Sequence, residues 1–267
     1  MTATTLAPVL FISHGAPTFA LEPGVLGPAL QALGEQLGAM RAVLVVSPHW
    51  QTRSAVTVMT TPQPETVHDF RGFPAALYQL QYPAAGCPDM AHEAARLLTV
   101  AGFTTELDAR RGLDHGAWVP LMHLLPRADV PVFQVSMPVQ LTTQQALQLG
   151  RALASLRQQG VLIVASGSMT HNLYEIEPPT SPARAYAMEF AQWVQTAVLT
   201  NAVQPLVHYR REAPHAERAH PTEEHFLPLL VALGAQGAGD RATLIPGGIT
   251  HGVLSMDSHL WQAHASR

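Results

Sequence analysis

Val43-Leu44-Val45-Val46-Ser47-Pro48-His49-Trp50 is a run of aliphatic, mostly β-branched residues that leads straight into a histidine. A continuous apolar run, unlike an alternating one, suits a strand covered on both faces, as in a parallel sheet. The design occurs twice more. Val9-Leu10-Phe11-Ile12-Ser13-His14 ends in His14, and Val161-Leu162-Ile163-Val164-Ala165-Ser166 is followed shortly by His171. Ligands of such sheets bind beyond the carboxyl ends of the strands. Three strands of this kind therefore bring three histidines toward one edge, and the expectation is an α/β fold with a histidine-rich metal site there.

Outward from these strands, residues 23–38 place Leu26, Leu30, Leu33 and Leu37 on one helical face, the crossover to a strand over residues 42–47. Residues 54–60 alternate as a hairpin or edge strand. Residues 61–86 are rich in proline, glycine and aromatics without a period, and irregular chain of that length is usually functional or disordered. Phe70, Phe73, Tyr78 and Tyr82 within it favour order. Asp89 is expected to cap a helix that carries Met90, Ala94, Leu97, Leu98 and Ala101 inward and stops at Gly102. A strand over 103–107, a turn over 110–116, an apolar helix over 118–125 and a strand over 130–137 follow. A helix over 142–159 has Ala146, Leu149, Leu153 and Leu156 on one face. Ser181 and Pro182 begin a helix that presents Tyr186, Phe190 and Val194. Thr222 begins the last helix, with His225 in its first turn and Phe226, Leu229 and Leu230 inward, closed by Gly234. A strand at 243–245 and a short tail complete the chain. No repeat, low-complexity tract or linker divides residues 1–267, which read as a single domain.

Composition narrows the chemistry. A hydrophobic fraction of 47% against 13% charged residues describes a compact soluble protein. A net charge of −4 with scattered arginines leaves no basic stripe, so the expected partners are small molecules and not nucleic acid. All 15 basic residues are arginine, which excludes Schiff-base chemistry, pyridoxal phosphate attachment and a Walker-type phosphate lysine. Cys87 stands alone, so there is no internal disulfide and no thiolate zinc cluster, and a metal must be held by His, Asp or Glu. Residues 1–7 lack a basic region, and the apolar stretch after them is too short for a signal peptide or a membrane span. The expected location is cytoplasmic, with no membrane partner.

Fourteen histidines make the inventory skewed, yet most single histidines are surface or hydrogen-bonded core residues, so position decides. His14 and His49 follow strands beside Gly15 and Pro48 and are the first candidates for metal contact. His171 lies in the loop of residues 167–172, where a base and a ligand are equally plausible. His225 is the helical candidate, with Glu223 and Glu224 able to replace it as donor. His68 and His115 sit in loops beside Asp69 and Asp114, the pattern of oriented imidazoles. His92, His123, His208, His259 and His264 read as packing or surface residues, and His215, His220 and His251 are unassigned. Ser166 and Ser168 flank Gly167, but the nucleophile-elbow pattern Gly-x-Ser-x-Gly is absent, and no glycine-rich phosphate loop follows any strand.

Read together, a series of segments carries a resemblance. They are Ser13-His14-Gly15-Ala16-Pro17, Ser47-Pro48-His49-Trp50, His68-Asp69-Phe70-Arg71-Gly72-Phe73-Pro74 on to Tyr82-Pro83-Ala84, Leu113-Asp114-His115-Gly116-Ala117-Trp118, and Pro221-Thr222-Glu223-Glu224-His225-Phe226-Leu227-Pro228-Leu229-Leu230. From about Val9 to Met256, in unchanged order, the chain resembles the class III extradiol ring-cleaving dioxygenases, most closely the 4,5-DOPA dioxygenase type. The resemblance implies one catalytic α/β domain with a mixed, mostly parallel central sheet and a metal pocket at its edge. It makes His14, His49 and His225 the metal ligands, His171 an acid/base or a fourth ligand, and His115 a catalytic residue on the substrate side. The implied reaction inserts O2 into a catechol, DOPA-like or otherwise substituted, and opens the ring beside the diol.

Non-haem iron sites commonly pair two histidines with one carboxylate. Three neutral imidazoles leave the metal charge uncompensated and suit zinc as well, so Fe(II) for activity and Zn(II) in the same site both stand. His171, near its titration midpoint at neutral pH, is expected to take a catechol proton. Phe70, Phe73 and Tyr78 are candidates for pocket walls and equally for core packing. Two other readings stay open: a zinc hydrolase with Glu224 as its base, and a non-catalytic binding protein of the same fold.

Overall fold

Val9, Leu10, Phe11 and Ile12, then Val43, Leu44, Val45 and Val46, then Val161, Leu162, Ile163 and Val164 are all fully buried, as strands between two helical layers must be. The computed structural model describes residues 6–263. His264 and residues 1–5 of the N-terminal stretch lie outside the described residues. In chain order the strands are β1 (Val9–Ser13), β2 (Ala42–Thr52), β3 (Val56–Met59), β4 (Thr105–Asp108), β5 (Val132–Pro138), β6 (Val161–Gly167), β7 (Asp240–Ile245), β8 (Ile249–Thr250), β9 (Leu254–Ser255) and β10 (Ser258–Ala263). The helices are α1 (Leu26–Gln36), α2 (Pro88–Val100), α3 (His115–Leu124), α4 (Thr143–Leu153), α5 (Ala185–Leu199), α6 (Val203–Val207), α7 (Tyr209–Glu212), α8 (Ala216–Ala219) and α9 (Leu227–Ala235).

One eight-stranded sheet runs in the order β4-β3-β5-β2-β6-β1-β10-β7. Its centre, β5-β2-β6-β1, is parallel, β3 joins β5 antiparallel, and β10 runs antiparallel to both β1 and β7. This is the single α/β domain with a mostly parallel mixed sheet that the apolar runs and the resemblance implied. The carboxyl ends of β1, β2 and β6 therefore share one edge. Helix α3 packs on α1, β2 and β6, while α4 joins α2 to α9, and α9 lies across β1, β2 and β6. Every residue of α9 is buried. It meets α4 backbone to backbone, because a Cβ on Gly150 would strike the Val231 carbonyl and one on Gly234 the Leu147 carbonyl. That close crossing fixes where the turn before α9 emerges. A buried Arg157 closes the far end of the sheet, donating Nε to the Ala7 carbonyl at 2.6 Å and NH1 to the Ala235 carbonyl and Asp240 Oδ2 at 3.0 and 2.6 Å.

Several elements differ from their sequence expectation, each for a local reason. β2 does not stop at residue 47 but runs to Thr52, with a register shift between Val46 and Gln51. Pro48 has no N–H to give the ladder, so the strand bulges and resumes, and His49 lies inside it. β3 is neither an edge nor a hairpin partner of β2; it sits between β4 and β5. Helix α2 is capped from Cys87 with Pro88 in its first turn, and Asp89 lies inside that turn. Helix α3 starts at His115, so His115 opens a helix and is not a loop residue. Helix α5 starts at Ala185, beyond Ser181 and Pro182. Residues 222–226 form a turn, and α9 begins at Leu227, so His225 precedes the helix. The expected tail instead forms β8, β9 and β10, because buried polar Ser258 and His259 interrupt the apolar signal of the last strand. No helix among the described residues is long and apolar enough to cross a membrane.

His259, expected to be a packing residue, lies fully buried in β10, and neither of its ring nitrogens has a hydrogen-bond partner among the described residues. Burial pushes its imidazole from 6.5 down to about 4. The unfolded chain then binds this proton more tightly than the folded one. The stability that the neutral ring contributes is complete above pH 6.5 and is lost as pH falls from there toward about 4. For this residue the loss between pH 7 and pH 5 is about 2 kcal/mol. Urea unfolding of His259→Leu at the two pH values should show a pH dependence reduced by about that amount. A variant as pH-sensitive as the parent would show that His259 is not the titrating group.

Candidate metal centre

The parallel edge gathers five imidazoles from five places in the chain. His14 follows β1, with its N–H on the Gly167 carbonyl at 2.9 Å, which locks it to the end of β6. Its Nδ1 lies 2.8 Å from Ser166 Oγ, and its Nε2 lies 3.0 Å from Nε2 of His49. His225 comes in from the turn before α9. Its carbonyl accepts from Ser168 N at 2.9 Å, and a Cβ on Gly167 would stand only 2.5 Å from that carbonyl. Gly167 is thus the residue that lets the turn close onto β6.

The bulge of β2 holds His49 from behind. Its N–H donates to Ser47 Oγ at 3.2 Å and its carbonyl accepts from Arg111 NH2 at 3.3 Å. Both partners meet on Asp114, which is fully buried. Asp114 Oδ1 accepts from Ser47 Oγ at 2.8 Å, and Oδ2 accepts from Arg111 NH2 at 3.0 Å and Gln134 Nε2 at 2.8 Å. A buried carboxylate satisfied this fully rigidifies what it touches.

One ring nitrogen from each of His14, His49 and His225 lies within 4.8 Å of the other two. Nε2 of His225 is buried with no hydrogen-bond partner among the described residues. An orphaned nitrogen facing two others is costly unless a shared cation satisfies them. Two imidazoles 2.0–2.1 Å from one metal, at roughly 90–110°, stand about 2.8–3.4 Å apart, and the His14–His49 separation of 3.0 Å fits. The electrostatics agree. Burial first, then the neighbouring imidazoles, hold His14 and His225 well below the ordinary value, and His49 is lowered to about 4, chiefly by burial, with His115 adding to it and Asp114 and Asp69 opposing. Neutral rings keep the lone pairs that a metal needs. His14, His49 and His225 thus form a group of three imidazoles able to hold a metal ion together.

His171 and His115 flank this triad. The ring of His171 lies flat on His225, centroids 3.5 Å apart and planes 9° apart, and burial lowers it to about 4. It is thus neutral at pH 7 and not at its midpoint, because the cluster excludes water. His115 packs on His49 with centroids 3.8 Å apart. Its orienting carboxylate is not the adjacent Asp114 but Asp69, whose Oδ1 accepts from His115 Nδ1 at 2.9 Å and from its backbone N–H at 3.0 Å. Burial alone would raise the Asp69 carboxyl, but the His115 hydrogen bonds and charge outweigh it and pull it to about 2.

Of the remaining candidates, His68 binds the Leu80 carbonyl in the layer behind, and Phe70 approaches His115 at 5.6 Å, with Phe73 and Tyr78 packed around Phe70. Tyr82 donates its hydroxyl to the Leu125 carbonyl, away from the cluster. His220 is a buried packing residue on the Met169 carbonyl, His123 binds the Phe19 carbonyl, and His215 pairs with Glu189 at the surface. His251 lines a separate small cavity of about 90 Å³ with Glu22 and Met256. Glu223 pairs with Arg210 at 3.1 Å, whereas Glu224 Oε1 lies 2.9 Å from His225 Nδ1. Sequence reasoning missed Ser166, Ser47, Gln134 and Arg111 as supporting groups, and it set Asp69 beside His68 where the structure sets it on His115. Only the polar ends of the apolar strands hinted at the two serines.

The family described as "Catalytic LigB subunit of aromatic ring-opening dioxygenase" matches residues 10–247. Among curated relatives, a 4,5-DOPA dioxygenase extradiol from Beta vulgaris is 40% identical, over 93% of this chain and 94% of its own. One from Escherichia coli K12 is 38% identical, over 95% and 94%. The crystal structure of an uncharacterized protein from Escherichia coli K12 superimposes with a TM-score of 0.78 at 33% identity, covering 95% of this chain and 99% of that one. The matched span contains His14, His49, His115, His171 and His225, and the chain belongs to the LigB family of extradiol, aromatic ring-opening dioxygenases.

Proposed function

We propose that this enzyme opens the ring of a DOPA-like or otherwise substituted catechol beside the diol, with His14, His49 and His225 holding Fe(II). The observation that carries the metal assignment is the buried Nε2 of His225, without a partner among the described residues, in a ring grouped with two further neutral imidazoles. Bound there, iron supplies a Lewis acid for the diol oxygens and a redox centre for O2. The relatives from Beta vulgaris and Escherichia coli support DOPA as the first substrate to try.

The chain's own residues divide the remaining work. His171, neutral at pH 7, accepts a catechol proton; its flat stacking on His225 holds it beside the metal-binding rings. His115 has its Nδ1 committed to Asp69, which leaves Nε2 for proton exchange with the substrate side. Phe70, next to His115, contributes apolar surface that keeps water away. The hydrolase alternative requires Glu224 as a free base, but its Oε1 already faces His225 Nδ1 and accepts from Thr222 Oγ. A non-catalytic binder has no use for a conjunction of triad and flanking imidazoles.

Apo-protein loaded anaerobically with Fe(II), mixed with a catechol panel that includes DOPA and then exposed to O2, should form a yellow ring-opened product with matching oxygen uptake. Absence of product from every catechol despite bound iron would overturn the reading. Zn(II) in the same protein should bind and give no oxygen uptake. His171→Ala should keep its metal and lose about 10²–10⁴-fold in kcat, as read by metal analysis beside steady-state kinetics; metal loss would instead make His171 a fourth ligand. His14→Ala should lose the metal.

A further inference from the structure

The three proposed ligand rings differ in what stands behind them. His14 Nδ1 meets a hydroxyl, Ser166 Oγ, at 2.8 Å. His49 Nδ1 stands 3.9 Å from Asp69 Oδ2, too far for a hydrogen bond, and the other oxygen of Asp69 is taken up by His115. Of the three, His225 alone has a carboxylate at hydrogen-bond distance, Glu224 Oε1 at 2.9 Å. The same oxygen accepts from Thr222 Oγ at 3.0 Å, which holds the carboxylate in place. Glu223 next to it is turned away onto Arg210.

We infer that Glu224 is a positioning residue: it fixes His225 with its proton on Nδ1, aims Nε2 at the metal, and supplies one imidazole away the negative charge that the three neutral ligands lack. The inference rests on the reading of His14, His49 and His225 as ligands. A carboxylate behind a metal-bound imidazole fixes its tautomer and ring orientation and makes it a stronger donor. An ionised acceptor strengthens the bond roughly twofold over a neutral one. In the commoner two-histidine, one-carboxylate site the negative charge occupies a coordination position. Moved behind His225, the charge still acts on the metal, yet it takes up none of the positions that diol and O2 need.

Glu224 also lies close enough to His171 and His225 to form a donor group with them, so direct ligation is the competing outcome. Cobalt(II) titration of the apo-protein, followed by visible absorption, separates the two. Glu224→Gln keeps an oxygen acceptor and loses the charge. It should bind cobalt about 10–100-fold more weakly than the parent, with shifted bands of unchanged coordination number, and its metal-free melting temperature should equal the parent's. Ser166→Ala, which removes a neutral partner, should weaken binding less. Equal affinity and an identical spectrum in Glu224→Gln would overturn the inference, and so would a spectrum showing one oxygen donor lost, which makes Glu224 a ligand. If the substitution lowers the metal-free melting temperature, the cobalt-induced rise carries the same comparison: a smaller rise supports the role and an unchanged rise overturns it. A parent that binds no cobalt, or a His14→Ala variant that binds it as tightly as the parent, would overturn the ligand assignment itself and the inference with it.

Discussion

His14, His49 and His225, with His171 against them, share one small volume that is tolerable only while their rings stay neutral. Each protonation would add a charge to a dry site beside other rings, so burial and mutual repulsion together hold His14, His49 and His225 low. Neutral rings, however, have nitrogens that must be satisfied, and the surroundings are arranged around that need. Ser166 takes one nitrogen of His14, Glu224 one of His225 and Asp69 one of His115. The nitrogens that remain face inward. On the proposed ligand assignment, a divalent cation completes the set.

The fold supplies this arrangement with little mobile chain. Parallel strands end at a common edge, and β1 and β6 are bonded to one another up to the point where they release their histidines. Helix α9, buried on all sides, sets the turn that carries His225, and its contact with α4 is so close that only glycines fit. On the other side, the Asp114 network seizes both the N–H and the carbonyl of His49 through intermediaries. The positions of the three rings thus follow from backbone contacts more than from side-chain reach.

What the sequence revealed followed from how local each signal was. The apolar runs before His14, His49 and His171 announced a covered parallel sheet, since burial on both faces leaves a pattern that a short window can read. The convergence on one edge followed from that topology. The bulge at Pro48 was less legible, because a proline at the end of a run reads equally as the end of a strand. β10 was hidden by the polar residues it buries, Ser258 and His259. The partners of the histidines were the least legible of all. Asp69 and His115 are brought together across the chain, and the acid adjacent to His115 in sequence, Asp114, turns out to serve His49. Glu224, read from the sequence as a substitute donor for His225, is instead its hydrogen-bond partner, because a tight turn puts the neighbouring side chains side by side.

That difference bears on how protons move in the proposed reaction. Ring opening of a catechol requires one group that takes a proton and one that returns it, and a single histidine in one environment serves both needs poorly. The two flanking rings are not equivalent. His115 is tied at Nδ1 to a carboxylate pulled down to about 2, so a positive charge formed on it has a counter-ion already in place. His171 has an aromatic face against His225 and a burial cost against its charged form. A charge formed on His171 meets that burial cost, opposed by the Glu224 carboxylate, whereas one formed on His115 meets Asp69 at hydrogen-bond distance. For the proposed reaction this asymmetry favours His171 as the group that takes a proton and passes it on, with His115 held in place by Asp69.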